Sequence, residues 1–160
     1  MCDYSLHAIP NRLSVEGEQL VTHRFPTFSI GLASPADLEK AIRAQQKAGR
    51  PEESWWSRVK AWFSQPPLVA EEVPAVCIPP GARLLLRDIP EDIQQEFSVG
   101  PVEDVVFTEL TPNAYRYRDG VRFRNGREVL LQHLRAGLHV DVLSLALAEF
   151  EFQPGVEQEI

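Results

Sequence analysis

The second position of the chain is a cysteine, and a thiol placed there has a chemistry of its own. If the initiator Met1 is removed, the mature chain begins with Cys2, carrying an α-amine and a thiol on one carbon. An α-amine titrates about two units or more below a lysine amine. It can then act as a base toward its own thiol, as in N-terminal nucleophile enzymes. The same pair can chelate a soft metal or capture an aldehyde as a thiazolidine. Cysteine is also a good small hydrophobe, so packing alone would account for it. In an extended N-terminal strand, Cys2, Tyr4 and Leu6 share one face and Asp3, Ser5 and His7 the other. A basic partner for Cys2 would therefore come from His23, His133 or His139. Cys2 would then be the catalytic nucleophile of an enzyme or covalent trap, or a ligand in a Cys/His metal carrier. Two cysteines, Cys2 and Cys77, make no disulfide framework, although one bridge between them is open.

Other reactive constellations are sparse. No histidine pair has zinc-helix spacing and there is no Cys-x-x-Cys, so no structural zinc site is expected. There is no Gly-rich phosphate loop, no Gly-x-Ser-x-Gly elbow and no carboxylate pair with glycosidase spacing, and the cofactor stays unknown. His139 and Asp141 fall on one face of a predicted strand, where the carboxylate could orient the imidazole. A solvated polar face needs no such role.

The second chemical feature is arginine-rich. Residues Tyr115 to Arg124 alternate on both sides of Asp119-Gly120. A three-residue loop, Arg118-Asp119-Gly120, would pair Tyr117 with Val121 and Tyr115 with Phe123, with Gly120 in the left-handed position. One face is then Tyr115, Tyr117, Val121 and Phe123. The other is Arg116, Arg122 and Arg124, with Arg118 and Arg127 near its ends. Such arginines can snorkel and pair with local carboxylates such as Asp119 and Glu128. They can also present planar forks to an acidic partner or a phosphate-bearing ligand. The aromatics point to the opposite face, so base stacking beside the arginines is disfavoured.

The third feature is apolar. Trp55, Trp56, Val59, Trp62 and Phe63 recur at helical spacing, with Arg58 and Lys60 on the polar side. This helix could pack on its own domain, dock a protein, or touch a membrane surface through Trp55–Phe63. The charges near the tryptophans are not strongly basic, which favours protein docking.

The elements that must position these residues read as follows. Three phrases, starting at Gly17, Gly81 and Gly137, each place a glycine before alternating aliphatics, a tight turn feeding a strand. Strands are expected over 19–25, 28–33, 75–78, 82–86, 102–110 and 138–142, and around Phe150 and Phe152. Ser34 is a good N-cap, Pro35 suits the first helical position, and the helix should end near Gly49. Residues 34–74 thus read as a two-helix insert, and 90–97 as a short helix. The stretch 129–134 is ambiguous between strand and helix, and Asn125-Gly126 reads as a turn.

Length and composition set the frame. The chain has 160 residues, 44% of them hydrophobic, and thirteen prolines against nine glycines, which suits short elements and stiff connections in a single domain. A net charge of −7 disfavours nonspecific nucleic-acid binding. The longest apolar stretch, Val140–Leu147, is far short of the roughly 20 residues that span a bilayer. No basic-then-apolar leader is visible. A cytoplasmic protein without a transmembrane segment is expected.

Met1-Cys2-Asp3-Tyr4-Ser5-Leu6-His7, with the Gly17 and Gly137 phrases, resembles an uncharacterised bacterial family of short proteins that open Met-Cys-Asp-Tyr-Ser-Leu. That resemblance covers the β parts and implies no mechanism. Met1-Cys2 followed by Ala8-Ile9-Pro10 is distantly similar to small hydrogenase-maturation chaperones. Those are β-barrels whose Met-Cys cysteine holds an iron centre, though here Ala8-Ile9-Pro10 falls several residues later and the chain is twice as long. The expectation is an α+β domain, a mostly antiparallel small β-barrel or curled sheet with the insert at 34–74. Its expected function is non-enzymatic docking of a protein partner through Trp55, Trp56, Trp62, Phe63, Arg116, Arg122 and Arg124.

Overall fold

A computed structural model describes residues 6–48 and 72–146. The strands are β1 (Asn11–Leu13), β2 (Gln19–Arg24), β3 (Ile30–Ala33), β4 (Ala75–Cys77), β5 (Arg83–Arg87), β6 (Val102–Glu109), β7 (Asp119–Phe123), β8 (Glu128–Leu130) and β9 (His139–Ser144). Two α-helices, α1 (Pro35–Ala48) and α2 (Glu91–Phe97), and a 3-10 turn over Leu131–His133 complete the described set. Seven strands form one curled sheet in the order β3-β2-β9-β5-β6-β7-β8, antiparallel throughout. The remaining two, β1 and β4, pair in parallel, a contact between distant segments that local patterning did not reveal.

The three glycine phrases launch β2, β5 and β9, which lie side by side in that sheet. Gly17, Gly81 and Gly137 all have positive φ, the region where a side chain costs most, so each turn needs glycine. From there the period-two pattern decides the faces. Leu20, Leu84, Leu86, Val105, Phe107, Val121, Phe123, Val129, Val140 and Val142 line the concave side as one buried cluster with Ile78, Ile93 and Leu134. Full burial of one such side chain stabilises by about 1.5–3 kcal/mol before entropy is counted. A second, smaller cluster of Leu6, Phe25, Ala33, Ala75 and Cys77 takes in Leu38 from α1. Helix α1 begins as its signals require: the Leu38 amide donates to the Ser34 carbonyl at 3.1 Å, and Pro35 occupies the first turn.

The barrel alternative is corrected to a curled half-barrel, since no backbone ladder joins β3 to β8. A side chain stands in for one. The Ile30 amide donates to Gln132 Oε1 at 2.8 Å, and Gln132 Nε2 donates back to the Ile30 carbonyl at 2.7 Å. Ser29 Oγ and the Tyr117 hydroxyl, 3.3 Å apart, add a second stitch. The second helix expected within 34–74, the strand around Phe150 and the N-terminal strand through Cys2 lie outside the described residues.

Candidate functional site

The outward positions of the sheet carry the charge. On β5 the alternation exposes Arg83 and Arg87 and buries Leu84 and Leu86 between them. Register then sets the neighbours: Arg83 stands opposite Val106 on β6, and Val106 opposite Arg122 on β7. One row along, Leu85 faces Asp104 and Asp141. Asp104 is the junction. It accepts from Arg83 and, at 3.0 Å, from Arg124 Nη2 at the start of the β7–β8 turn. Arg122 Nε donates to Glu128 at 2.8 Å, and Arg87 pairs with Asp141 at 2.5 Å. Arg83, Arg122 and Arg124 with Asp104 and Val106 line a shallow cleft of about 290 Å³ on this face.

Burial alone would push the Asp104 carboxyl up. The hydrogen bonds and charges of Arg83 and Arg124 outweigh it, so the carboxyl is held below its ordinary value. Elsewhere the hydrogen bond from Arg12 draws Glu18 down and raises Arg12 in return, fixing the approach to β2. His23, edge-on to Phe25 at 4.9 Å, is shifted down by burial.

The arginine hairpin is corrected in its register. Asp119 and Gly120 belong to β7 and are buried, with Gly120 opposite Thr108 and Leu130. A Cβ on Gly120 would lie 2.5 Å from the Val129 carbonyl oxygen and 2.9 Å from Leu110 Cδ1. Glycine is there for close approach of backbone. Asn125-Gly126, also expected as a turn, is the one that joins β7 to β8, with Gly126 at φ +83°. Tyr115 and Arg116 therefore fall in the loop before β7, and the residues lining the cleft with Arg122 and Arg124 do not include Arg116. Sequence reasoning missed Arg83, which does line it. The available signal was the spacing of Arg83 and Arg87, four apart and so on one side of a strand.

The remaining candidates are dispersed. His139 Nδ1 lies 2.8 Å from Asp88, while Asp141 pairs with Arg87, as suits the solvated polar face. His133 Nε2 lies 3.3 Å from Glu96. Cys77 is buried in the second cluster and is disulfide-bonded. Cys2, Trp55, Trp56, Trp62 and Phe63 lie outside the described residues. Among the described residues no group of three or more His, Cys, Asp and Glu is placed to hold a metal, and no helix is long and apolar enough to cross a membrane.

Fold and face together define an α+β protein with a curled antiparallel sheet and arginines on its outer surface. No protein-family model, curated protein or solved structure matches the chain.

Proposed function

We propose that this chain is a non-enzymatic docking protein that holds an acidic protein partner against the outer face of its sheet. Trp55, Trp56, Trp62 and Phe63 supply the apolar contact suggested by their helical spacing. The observation that supports this reading is the convergence of Arg83, Arg122 and Arg124 on one cleft of a chain whose net charge is −7. A local basic surface on an acidic molecule selects an acidic partner by position, because the rest of the surface repels it. A protein fits better than a nucleic acid. Phe123 is the aromatic that lines the cleft, and at 2% exposure it offers bases no platform, while the outward positions on β5 and β6 beside the arginines are Leu85, Arg87, Val102, Asp104, Val106 and Thr108.

The test is titration with an oligo-glutamate peptide across a salt series. Binding is expected to weaken with salt, and the double variant Arg122→Glu/Arg124→Glu should lose it. Salt-indifferent binding, or binding that survives charge reversal, sinks the reading.

A further inference from the structure

The cleft on the outer face has a more specific shape than a diffuse basic patch. Arg83, Val106 and Arg122 form one cross-strand row over β5, β6 and β7. Neighbouring strands are about 4.8 Å apart, so the two arginine backbones stand about 10 Å apart with a small apolar floor between them. Arg124 closes one end, tied to Asp104 together with Arg83. Asp104 is only 17% exposed at its side chain, whereas Arg124 is 75% exposed, so the carboxylate is a partly buried anchor beneath outward guanidinium groups. Each guanidinium carries five N–H donors in a rigid fork. Arg83 and Arg124 each give Nη2 to Asp104, and Arg122 gives Nε to Glu128.

We infer that this cleft seats a phosphate monoester, carried on a phosphorylated serine or threonine of the acidic partner. The inference rests on the docking reading and names its anchor. Three arginines against Asp104 and the Glu128 that pairs with Arg122 leave a local surplus of one positive charge. That surplus suits the roughly −1.5 to −2 charge of a phosphorylated side chain. Paired arginine forks match phosphate oxygens better than the single point charge of a lysine does. The openness of the cleft chooses between sources. A pocket that holds a free small molecule encloses most of its surface. This one lies open on a sheet face, so the phosphate must arrive attached to something that makes further contacts.

The experiment is calorimetric titration with an acidic peptide bearing one phosphoserine, the same peptide with plain serine, and inorganic phosphate. The variants are Arg83→Gln, Arg122→Gln and Arg122→Lys. Arg135→Gln serves as the control, because Arg135 pairs with Asp92 away from the cleft. Circular dichroism confirms that each is folded. The phosphopeptide is expected to bind about tenfold tighter than its plain counterpart, the scale of one charge-assisted hydrogen bond. Arg83→Gln and Arg122→Gln should each erase that preference, Arg122→Lys should keep only part of it, and Arg135→Gln should keep all of it. Equal affinity for the two peptides overturns the phosphate pocket while leaving acidic docking standing. No binding of either peptide overturns both. Inorganic phosphate that binds as tightly as the phosphopeptide overturns the side-chain source. Equal weakening by Arg135→Gln overturns the site in favour of diffuse charge.

Discussion

Asp104 receives arginines from two different segments, and this decides how it titrates. Its carboxyl is partly withdrawn from water, which by itself would favour the neutral acid, yet Arg83 and Arg124 together hold it ionised below its ordinary range. The linkage follows from the direction of that shift. A carboxyl depressed in the folded state contributes stability above its unfolded pKa, about 3.9, and that contribution is lost as pH falls through the folded value. Denaturant melts from pH 7 downward should show no Asp104-dependent change until the acid limb is reached. There Asp104→Asn should flatten the decline. A carboxyl chemical-shift titration of Asp104 should give a midpoint below that of Asp in a model peptide, and a midpoint above it would remove Asp104 as the anchor. Because both arginines are partly exposed, screening keeps the effect modest.

At the scale of elements, the seam of the half-barrel is held chiefly by one side chain, with Ser29 and Tyr117 beside it. Gln132 gives Ile30 both bonds that a neighbouring strand would have given. Its replacement by leucine keeps bulk but leaves a partly buried amide and carbonyl without partners, at a cost of about 1–3 kcal/mol. Hydrogen exchange should then accelerate at the Ile30 amide while Leu84 and Val105 in the centre of the sheet stay protected. Uniform acceleration would show that the seam is not a local latch. The same element explains what was legible in the sequence. Signals confined to a few residues were readable: the Ser34-Pro35 start of α1, the Gly17, Gly81 and Gly137 strand starts, and the inward set of β9. The seam was not, because Ile30 and Gln132 are far apart in the chain and nothing local marks their meeting. The β1–β4 pairing escaped for the same reason. The hairpin register failed differently. Asp119-Gly120 and Asn125-Gly126 are both good turn pairs, and only the packing of Gly120 against Val129 and Leu110 separates them. A turn at Asp119-Gly120 aligns Arg116 with Arg122 and Arg124 and gives no reason to look to Arg83, two strands away in the sheet.

For the whole molecule, the division of the core into two clusters sets the order of loss. The larger cluster lies under the main sheet. The smaller one ties β4, α1 and Leu6 to the β2–β3 end and contains few large side chains, so it has less apolar area to hold it. Cys77 sits in that smaller cluster and is disulfide-bonded. A cross-link there stabilises where packing is thinnest, chiefly by restricting the unfolded chain. Reduction should cost about 2–4 kcal/mol of stability. Exchange should rise first at Ala75–Cys77 and around Leu6, with β5, β6 and β9 following only on global unfolding. Cys2 is the chain's one other cysteine, and a bridge within the chain would make Cys2→Ser reproduce the effect of reduction. Intact mass under nonreducing conditions should also fall short of the reduced mass by a pair of hydrogens. The same measurement weighs the N-terminal nucleophile directly, because that chemistry requires a thiolate at Cys2. If Cys2 is alkylated by iodoacetamide without reductant while the fold and its stability are unchanged, the cross-link has no structural role. The enzyme reading would then regain the ground that the arginine face now holds.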